Sequence, residues 1–565
     1  MKRYEIRENI PENVSKKLSK YPELIQKLLY YRGIEDLENA ENFFNPNYET
    51  DLHDPFLLPN MSEAVERILL AIKENQRVTI YSDYDADGIP ASVALHDFFK
   101  KIGFENFDVY IPHRNKEGFG LNEKAIREIH SRGTNLMITI DCGTADFDEV
   151  ALARELGMDV IITDHHEAHE KIPDAIIVNH KLPESNYPER ILCGAGVVFK
   201  LIQALIQKGD FDLPKGFEKW FLDVVGIATM ADMVPLVGEN RAIAHYGLVV
   251  LRKSSRPGLQ QLFKKTRLDQ NKISAMDVGF TIAPRINAAS RMGEPHTAFY
   301  MLSERDIGIV SGFVEHLHKI NDQRKGHVAS ITKHVYQKFD DWENFEDLKV
   351  IVAGNPDWQP SLLGLAASNI VEKYKRPVFL WGRGDGDELK GSCRSIDGVS
   401  TLNLLNEVSD ILDHFGGHDQ AGGFAVNSEH VDFLLDRLNE AYNKSSFEDQ
   451  DKVIFIDSEI SVSDINYKMF DHIQKIGPFG VGNEEPKFLI KNIFIKDIQK
   501  FGKNKEHLKV VCFQDGKTIE AISFYSDEES FSNKVNLNEK NSLVCTIEKN
   551  QWGGGFRLRI LDFLN

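Results

Sequence analysis

From about residue 78 onward, short apolar runs alternate with longer amphipathic stretches. The runs Val78-Thr79-Ile80-Tyr81, Leu136-Met137-Ile138-Thr139-Ile140, Val160-Ile161-Ile162-Thr163 and Ala175-Ile176-Ile177-Val178 are strand-length and rich in β-branched residues, and each is followed by a polar turn. Consecutive rather than alternating apolar positions fit strands covered on both faces, so the pattern predicts βαβ units around a parallel sheet. Ligands of such sheets lie at the carboxyl ends of the strands, where this chain places Asp and His residues. A charged helical stretch from about Asp306 to Phe339 reads as a connector, and a second α/β pattern opens near Leu348 and runs to about Tyr442. Residues 444–451 are polar and read as a linker. Beyond them, the runs Val453-Ile454-Phe455-Ile456, Leu508-Lys509-Val510-Val511-Cys512-Phe513 and Phe556-Arg557-Leu558-Arg559-Ile560 predict a small β-barrel. The expected organisation is an extension over 1–50, an α/β domain over 51–305, a helical connector over 306–345, a second α/β domain over 346–443 and a barrel over 452–565.

At 565 residues the chain exceeds what one hydrophobic core supports, in keeping with several domains. Its hydrophobic fraction of 42% and charged fraction of 27% are those of a globular protein. The amino terminus lacks the apolar stretch of a signal peptide, and no run approaches a membrane span, so a cytoplasmic protein without a membrane partner is expected. The five cysteines are scattered without a CxxC pair, which suits a reducing compartment and argues against a structural zinc site. A net charge of −19 weighs against nucleic acid, but total charge does not locate charges, and carboxylates at a metal site are partly cancelled by bound cations.

The first apolar run leads directly into Ser82-Asp83-Tyr84-Asp85-Ala86-Asp87-Gly88. Three alternating carboxylates on one side of an extended segment repel one another unless a cation sits among them, and hard divalent cations take such oxygen ligands. Taken alone, the segment reads equally well as an Asp-rich turn or helix cap. The second run ends in Asp141 and the third in Asp164-His165-His166, and Asp232 follows an apolar helix. Imidazoles beside carboxylates favour a transition metal such as manganese over calcium. A lone His pair is usually a surface or cap feature, yet clusters at three consecutive strand ends are harder to attribute to unrelated turns.

These motifs resemble the DHH phosphoesterase superfamily, whose name is the Asp164-His165-His166 triplet. The resemblance extends along the chain to Asp413-His414-Phe415-Gly416-Gly417-His418 with Ala421-Gly422-Gly423, similar to the associated DHHA1 domain, and to Ala283-Pro284-Arg285-Ile286-Asn287-Ala288-Ala289-Ser290-Arg291 and Gly477-Pro478-Phe479-Gly480-Val481-Gly482-Asn483, which look like RecJ-type members. It implies a parallel-sheet DHH domain joined by a helix to a DHHA1-type domain, followed by an OB-fold-like barrel. It further implies a single-stranded-DNA-specific 5′-to-3′ exonuclease of DNA repair and recombination, using two divalent metal ions, Mn2+ in preference or Mg2+. Asp85, Asp87, Asp141, His165 and Asp232 would be the metal ligands, with Asp141 a candidate to bridge both ions. His166, His418 and Asp83 would act at the scissile phosphate or beside the metals. Arg114, Arg285, Arg291, Ser392 and Arg394 would hold the strand. The sequence departs from the family pattern at Tyr81, where a His ligand is frequent, and at Gln359, Ser361 and Asn369.

Other readings of the same residues are a relative acting on short RNA or cyclic dinucleotides and a catalytically weak nucleic-acid scaffold. The appended barrel argues against the first, since a tiny substrate needs no such platform, and retained ligands argue against the second. Between Pro486 and Lys509, seven lysines (487, 491, 496, 500, 503, 505, 509) face two acids, Asp497 and Glu506, with Phe488, Phe494 and Phe501 interleaved. Such a strip suits single-strand binding by a barrel, or else core phenylalanines with edge-protecting lysines. A monomer with single-strand-binding protein and a helicase as candidate partners completes the expectation.

Overall fold

The computed structural model describes residues 3–168, 171–340, 342, 345–384, 388–445, 453–502, 505–550 and 554–564. Lys503 of the basic strip and most of the 444–451 linker lie outside them. The chain forms two compact units, one of Leu52–Val234 with Gly238–Gln450, the other of Met1–Asp51, Pro235–Val237 and Asp451–Asn565.

The larger unit opens on a parallel sheet of β1 (Val78–Ser82), β2 (Phe107–Tyr110), β3 (Leu136–Ile140), β4 (Asp159–Thr163) and β5 (Ile176–Val178), in the spatial order β2-β1-β3-β4-β5. Every residue of β1 and β3 is buried, as expected where helices cover both faces. One covering helix, α1 (Gly88–Lys101), leaves directly from the carboxyl end of β1. A second, α2 (Leu222–Ala231), packs against α1 and is buried over nearly its whole length. A 34-residue helix, α3 (Ile307–Asp340), packs on helices of this first region and on the Pro360–Tyr374 helix of the second α/β region. Its span of about 51 Å explains how one element carries both regions.

That second region is a five-stranded sheet in the order Leu412–His418, Ala421–Val426, Leu389–Arg394, Val378–Arg383, Ile351–Gly354, antiparallel except for the last pair. His418 is the last residue of a hairpin strand, paired with Ala421. The glycines on either side of it are ladder residues. A Cβ at Gly417 would meet the Ala421 carbonyl at 2.4 Å, so the two strands approach too closely for side chains there.

In the smaller unit, Phe488–Phe501, His507–Gln514, Lys517–Ser523, Phe556–Leu564 and Lys540–Lys549 form a barrel that closes where the last strand returns to the first. Val453–Ile456, expected among the barrel strands, pairs in parallel with Arg3–Ile6 in a separate two-stranded sheet. The amino-terminal segment therefore belongs to this unit. Leu18, Leu28 and Leu29 are fully buried in the same cluster as Ile490, Leu508 and Leu558 of the barrel. Arg32 donates to Asn483 Oδ1 at 2.7 Å and to the Glu484 carbonyl. Sequence patterning misses this closure because it joins residues more than 400 positions apart.

Candidate metal centre and substrate groove

Three strand ends and one helix end bring the acidic and imidazole groups together. Asp83, Asp85 and Asp87 follow β1, Asp141 follows β3, His165 and His166 follow β4, and Asp232 caps the carboxyl end of α2. Three overlapping sets each offer ligand atoms within 4.8 Å of one another, namely Asp83, Asp85 and Asp141; Asp87, His165 and Asp232; and Asp141, His165 and His166. His165 Nε2 stands 3.1 Å from Asp141 Oδ1, 3.7 Å from Asp232 Oδ2 and 3.8 Å from Asp87 Oδ2.

Backbone geometry enforces this convergence. Asp141 adopts a left-handed φ of 62°, a strained conformation for a residue with a Cβ, and its amide is pinned to the Thr163 carbonyl at 2.8 Å. Asp87 accepts from the Gly194 and Ala195 amides at 2.6 and 2.8 Å, the amino end of the Gly194–Lys208 helix, whose dipole favours a carboxylate. Asp85 accepts from the Asp87 and Gly88 amides. Ala86 donates to Asn287 Oδ1 at 2.9 Å, tying the loop to the helix that bears Arg285 and Arg291.

The electrostatics are those of a cation site. Burial, and then the neighbouring Asp85, raise the Asp83 carboxyl well above its ordinary range. Burial followed by Asp87 and Asp85 does the same for Asp141, and burial with Asp87 for Asp232. Burial holds the His165 imidazole neutral, lowered to about 3. Asp83 Oδ1 and Asp141 Oδ1 are buried without a hydrogen-bond partner, a costly arrangement unless something positive occupies the space between. Hard carboxylate oxygens with one neutral imidazole make the donor set of a borderline or hard divalent ion.

Asp164 plays a different part. Burial pushes its carboxyl up, but the His166 hydrogen bond and charge, with the Thr144 bonds, outweigh that and hold it well below the usual range. Its Oδ1 lies 2.7 Å from His166 Nδ1 and accepts the His165 amide, while Oδ2 accepts the Thr144 amide at 3.0 Å. Burial opposes a charged His166, yet Asp164 outweighs it and raises the imidazole to about 9. Phe119, more than half exposed, packs edge-on to His166 at 5.4 Å.

Beside the carboxylates lies an arginine strip. Burial, then Arg114, Arg324 and Arg394, lower Arg291 to about 9, against the pull of Asp85. Arg324 in turn is lowered by burial and by Arg285. Arg285 Nε and Arg324 Nε are buried without hydrogen-bond partners. Arg114 rests over the Tyr84 ring at 5.0 Å, and Arg394 Nη1 bonds Ser392 Oγ at 3.3 Å. A Cβ on Gly364 would strike Arg394 at 2.7 Å, so that glycine admits the guanidinium onto its helix. Mutually repelling arginines, none of which forms an ion pair among the described residues, call for a polyanion.

The departures from the family pattern also find places. Tyr81 is fully buried, donates to the Gly120 carbonyl at 2.8 Å and stacks on Tyr110, so its hydroxyl supports the Phe119 loop. Gln359 Nε2 and Ser361 Oγ both donate to the Arg291 carbonyl, at 2.8 and 2.7 Å, and Arg291 Nη1 donates back to the Ser361 carbonyl at 2.7 Å. They lock Arg291 to the second region. Asn369 is exposed, and its carbonyl accepts from Tyr336. His418 is exposed and lies in none of the ligand sets. In the barrel, Phe488 is core, Lys487, Lys491 and Lys509 pair with Glu484, Glu459 and Glu520, and Lys496 lies over Phe513.

Sequence reasoning assigned no role to Arg324, Phe119 or Asp164. Arg324 is one of several basic residues along α3, and only the fold distinguishes it. Phe119 carried a faint signal, an aromatic between Gly118 and Gly120, both with left-handed φ.

Known proteins share this architecture. The family profile of the DHH family, N-terminal domain, matches residues 77–229, that of the DHHA1 domain residues 347–444, and that of the RecJ OB domain residues 456–561. The single-stranded-DNA-specific exonuclease RecJ of Bacillus subtilis is 36% identical over 94% of this chain, which spans 66% of that protein. Its counterpart in Haemophilus influenzae is 29% identical over 99% of this chain and 98% of its own length. The crystal structure of RecJ in complex with Mn2+ from Thermus thermophilus superposes with a TM-score of 0.83 at 25% identity, covering 100% of this chain and 79% of that one.

Proposed function

Because this chain belongs to the RecJ family of DHH phosphoesterases, we propose that it is a metal-dependent exonuclease that hydrolyses single-stranded DNA from the 5′ end. One observation carries the reading: Asp83, Asp85, Asp87, Asp141, His165 and Asp232 converge with buried carboxylate oxygens left unpaired, and an uncompensated arginine strip begins beside them. Asp85, Asp87, Asp141, His165 and Asp232 would hold two Mn2+ or Mg2+ ions, with Asp141 between them and Asp83 supplementing the set. Two such ions supply an activated water and charge stabilisation for the departing oxygen.

The remaining work falls to the chain's own residues. Arg114, Ser392 and Arg394 grip the 5′ phosphate, and Arg291, Arg324 and Arg285 carry the backbone of the following nucleotides. His166, with Nδ1 committed to Asp164, keeps Nε2 to donate to a phosphate oxygen. Hydrolysis cleaves the P–O3′ bond, releasing a nucleoside 5′-monophosphate and leaving a 5′ phosphate on the shortened strand. Phe119, exposed beside His166, offers a face for the terminal base. His418, at its strand end, has the weakest support of the expected catalytic groups. Lys496, Lys500 and Lys505 on the barrel give the smaller unit its own contacts to a single strand. A cytoplasmic monomer acting in DNA repair and recombination beside single-strand-binding protein and a helicase belongs to the same proposal, and no described helix is long and apolar enough to cross a membrane.

Manganese-dependent digestion of 5′- and 3′-end-labelled single strands and duplex tests it. Mononucleotides should appear first from the 5′ label of single strands, and Asp141→Ala should abolish them. Equal digestion of duplex, or full activity in that variant, refutes the proposal.

A further inference from the structure

Both helices that deliver metal-site carboxylates, α1 and α2, end at a cavity remote from the metal centre. Asp87 precedes α1 and Lys101 ends it, about 21 Å along the axis; Asp223 lies nine residues before Asp232, about 14 Å along α2. The cavity holds about 670 Å³, within the range of small-molecule sites.

Its floor is internally neutralised. Buried Arg256 donates to Asp97 Oδ2 at 2.6 Å and to Asp223 Oδ2 at 2.8 Å, Arg305 reaches Asp97 at 2.6 Å, and Ser254 bonds Asp223 at 2.7 Å. At the rim, Lys100 pairs with Glu105, and Glu304 accepts the Arg305 and Asp306 amides. Three polar groups of the lining stay uncommitted. Among the described residues, Lys101, Ser255 and Ser303 form no side-chain hydrogen bond or ion pair, and Lys101 Nζ lies 5.3 Å over the Phe217 ring. Two large aromatics of the same wall are partly turned to solvent, Trp220 at 56% exposure and Tyr300 at 46%, the latter stacked with Phe313 at 5.6 Å and with His296 at 6.1 Å. Exposed aromatic side chains can take a flat base, while an unpaired ammonium and two hydroxyls lining the same cavity can take a phosphate.

We propose that this cavity binds a nucleoside monophosphate, its base against Trp220 and Tyr300 and its phosphate at Lys101, Ser255 and Ser303. The ligand class coincides with the product proposed for the metal centre, but the site lies at the far ends of α1 and α2 and needs no metal.

The test is calorimetric titration of the metal-free full chain with deoxyadenosine monophosphate, with inorganic phosphate and with deoxyadenosine. The mononucleotide should bind one to one, at least about tenfold more tightly than either fragment, since each fragment forfeits one half of the contacts. Trp220→Ala and Lys101→Glu should each weaken it at least about tenfold, Trp220→Phe and Lys101→Arg should restore it, and Arg114→Ala and Asp141→Ala should leave it unchanged. Absence of binding overturns the proposal, as does equal affinity for either fragment, or a loss in Arg114→Ala without one in Trp220→Ala, which would place the ligand in the nuclease groove. Binding that Arg114→Ala removes and Trp220→Ala keeps belongs to the nuclease groove, so the two variants separate failure of this proposal from failure of the exonuclease reading.

Discussion

A single methyl group added at Gly194 should disable the metal centre without removing any ligand. A Cβ built there lies 2.7 Å from both Cβ and Oδ1 of Asp141, whereas ordinary contact begins at 3.4 Å. Either Asp141 or the amino end of the Gly194–Lys208 helix must retreat by about 0.7 Å, more than the roughly 0.5 Å tolerance within which a catalytic constellation works. Neither can retreat alone, because the Gly194 amide also holds Asp87 and the Thr163 carbonyl pins the Asp141 amide. Two metal-site carboxylates therefore shift together, and a misplacement approaching 1 Å costs about 100-fold in rate. Helix propensity points the other way, since alanine outranks glycine by up to about 1 kcal/mol, so the fold should be no less stable apart from the local clash. The assay is Mn2+ titration by calorimetry, nuclease activity on a labelled single strand, and thermal unfolding of metal-free protein. Gly194→Ala should weaken Mn2+ binding and cut activity about 100-fold with little change in melting temperature. Unaltered Mn2+ affinity and activity would refute the claim that this glycine sets the position of Asp141.

Asp164→Asn should reduce activity about 10–100-fold by freeing His166 while leaving Mn2+ affinity nearly intact, as expected of a positioning residue; a collapse of metal binding instead would make Asp164 a ligand. Arg256→Leu leaves buried Asp223 without its cation, while Asp97 keeps Arg305, and should destabilise the larger unit by about 3 kcal/mol, measured by urea unfolding of metal-free protein. Fully buried His180 is lowered from 6.5 to about 4 by burial, so the fold disfavours its charged form. Its contribution is complete above pH 6.5, is lost as pH falls toward 4 and amounts to about 3 kcal/mol, so a urea series across that window should show a slope that His180→Gln removes. Replacing Lys496, Lys500 and Lys505 together by Glu should weaken binding of long single strands and lower its salt slope by about 0.7 per lost phosphate contact; an unchanged slope reduces the strip to solubility.

Much of this protein was legible in one dimension. Consecutive apolar residues in β1 and β3 announce a sheet covered on both faces, since alternate-position burial would have demanded alternation. Aspartates and histidines directly after those runs had to emerge at one sheet edge, because parallel strands in register present their carboxyl ends together. Asp83, Asp85, Asp87, Asp141, His165 and His166 were therefore placed by local pattern alone.

What the fold alone decided involves contacts between segments distant in the chain. Patterning fixes which face of an element is apolar but not which partner covers it, so Val453–Ile456 read as a barrel strand until the pairing with Arg3–Ile6 appeared. For the same reason nothing in α3 sets Arg324 apart from its neighbouring basic residues; its function depends on which arginines stand opposite. Gln359 and Ser361, departures from the family pattern in the sequence, form a latch on Arg291 in the fold. Local chemistry determines what each residue can offer, and long-range packing determines to whom, because a hydrogen bond or a charge acts over a few ångströms regardless of separation along the chain.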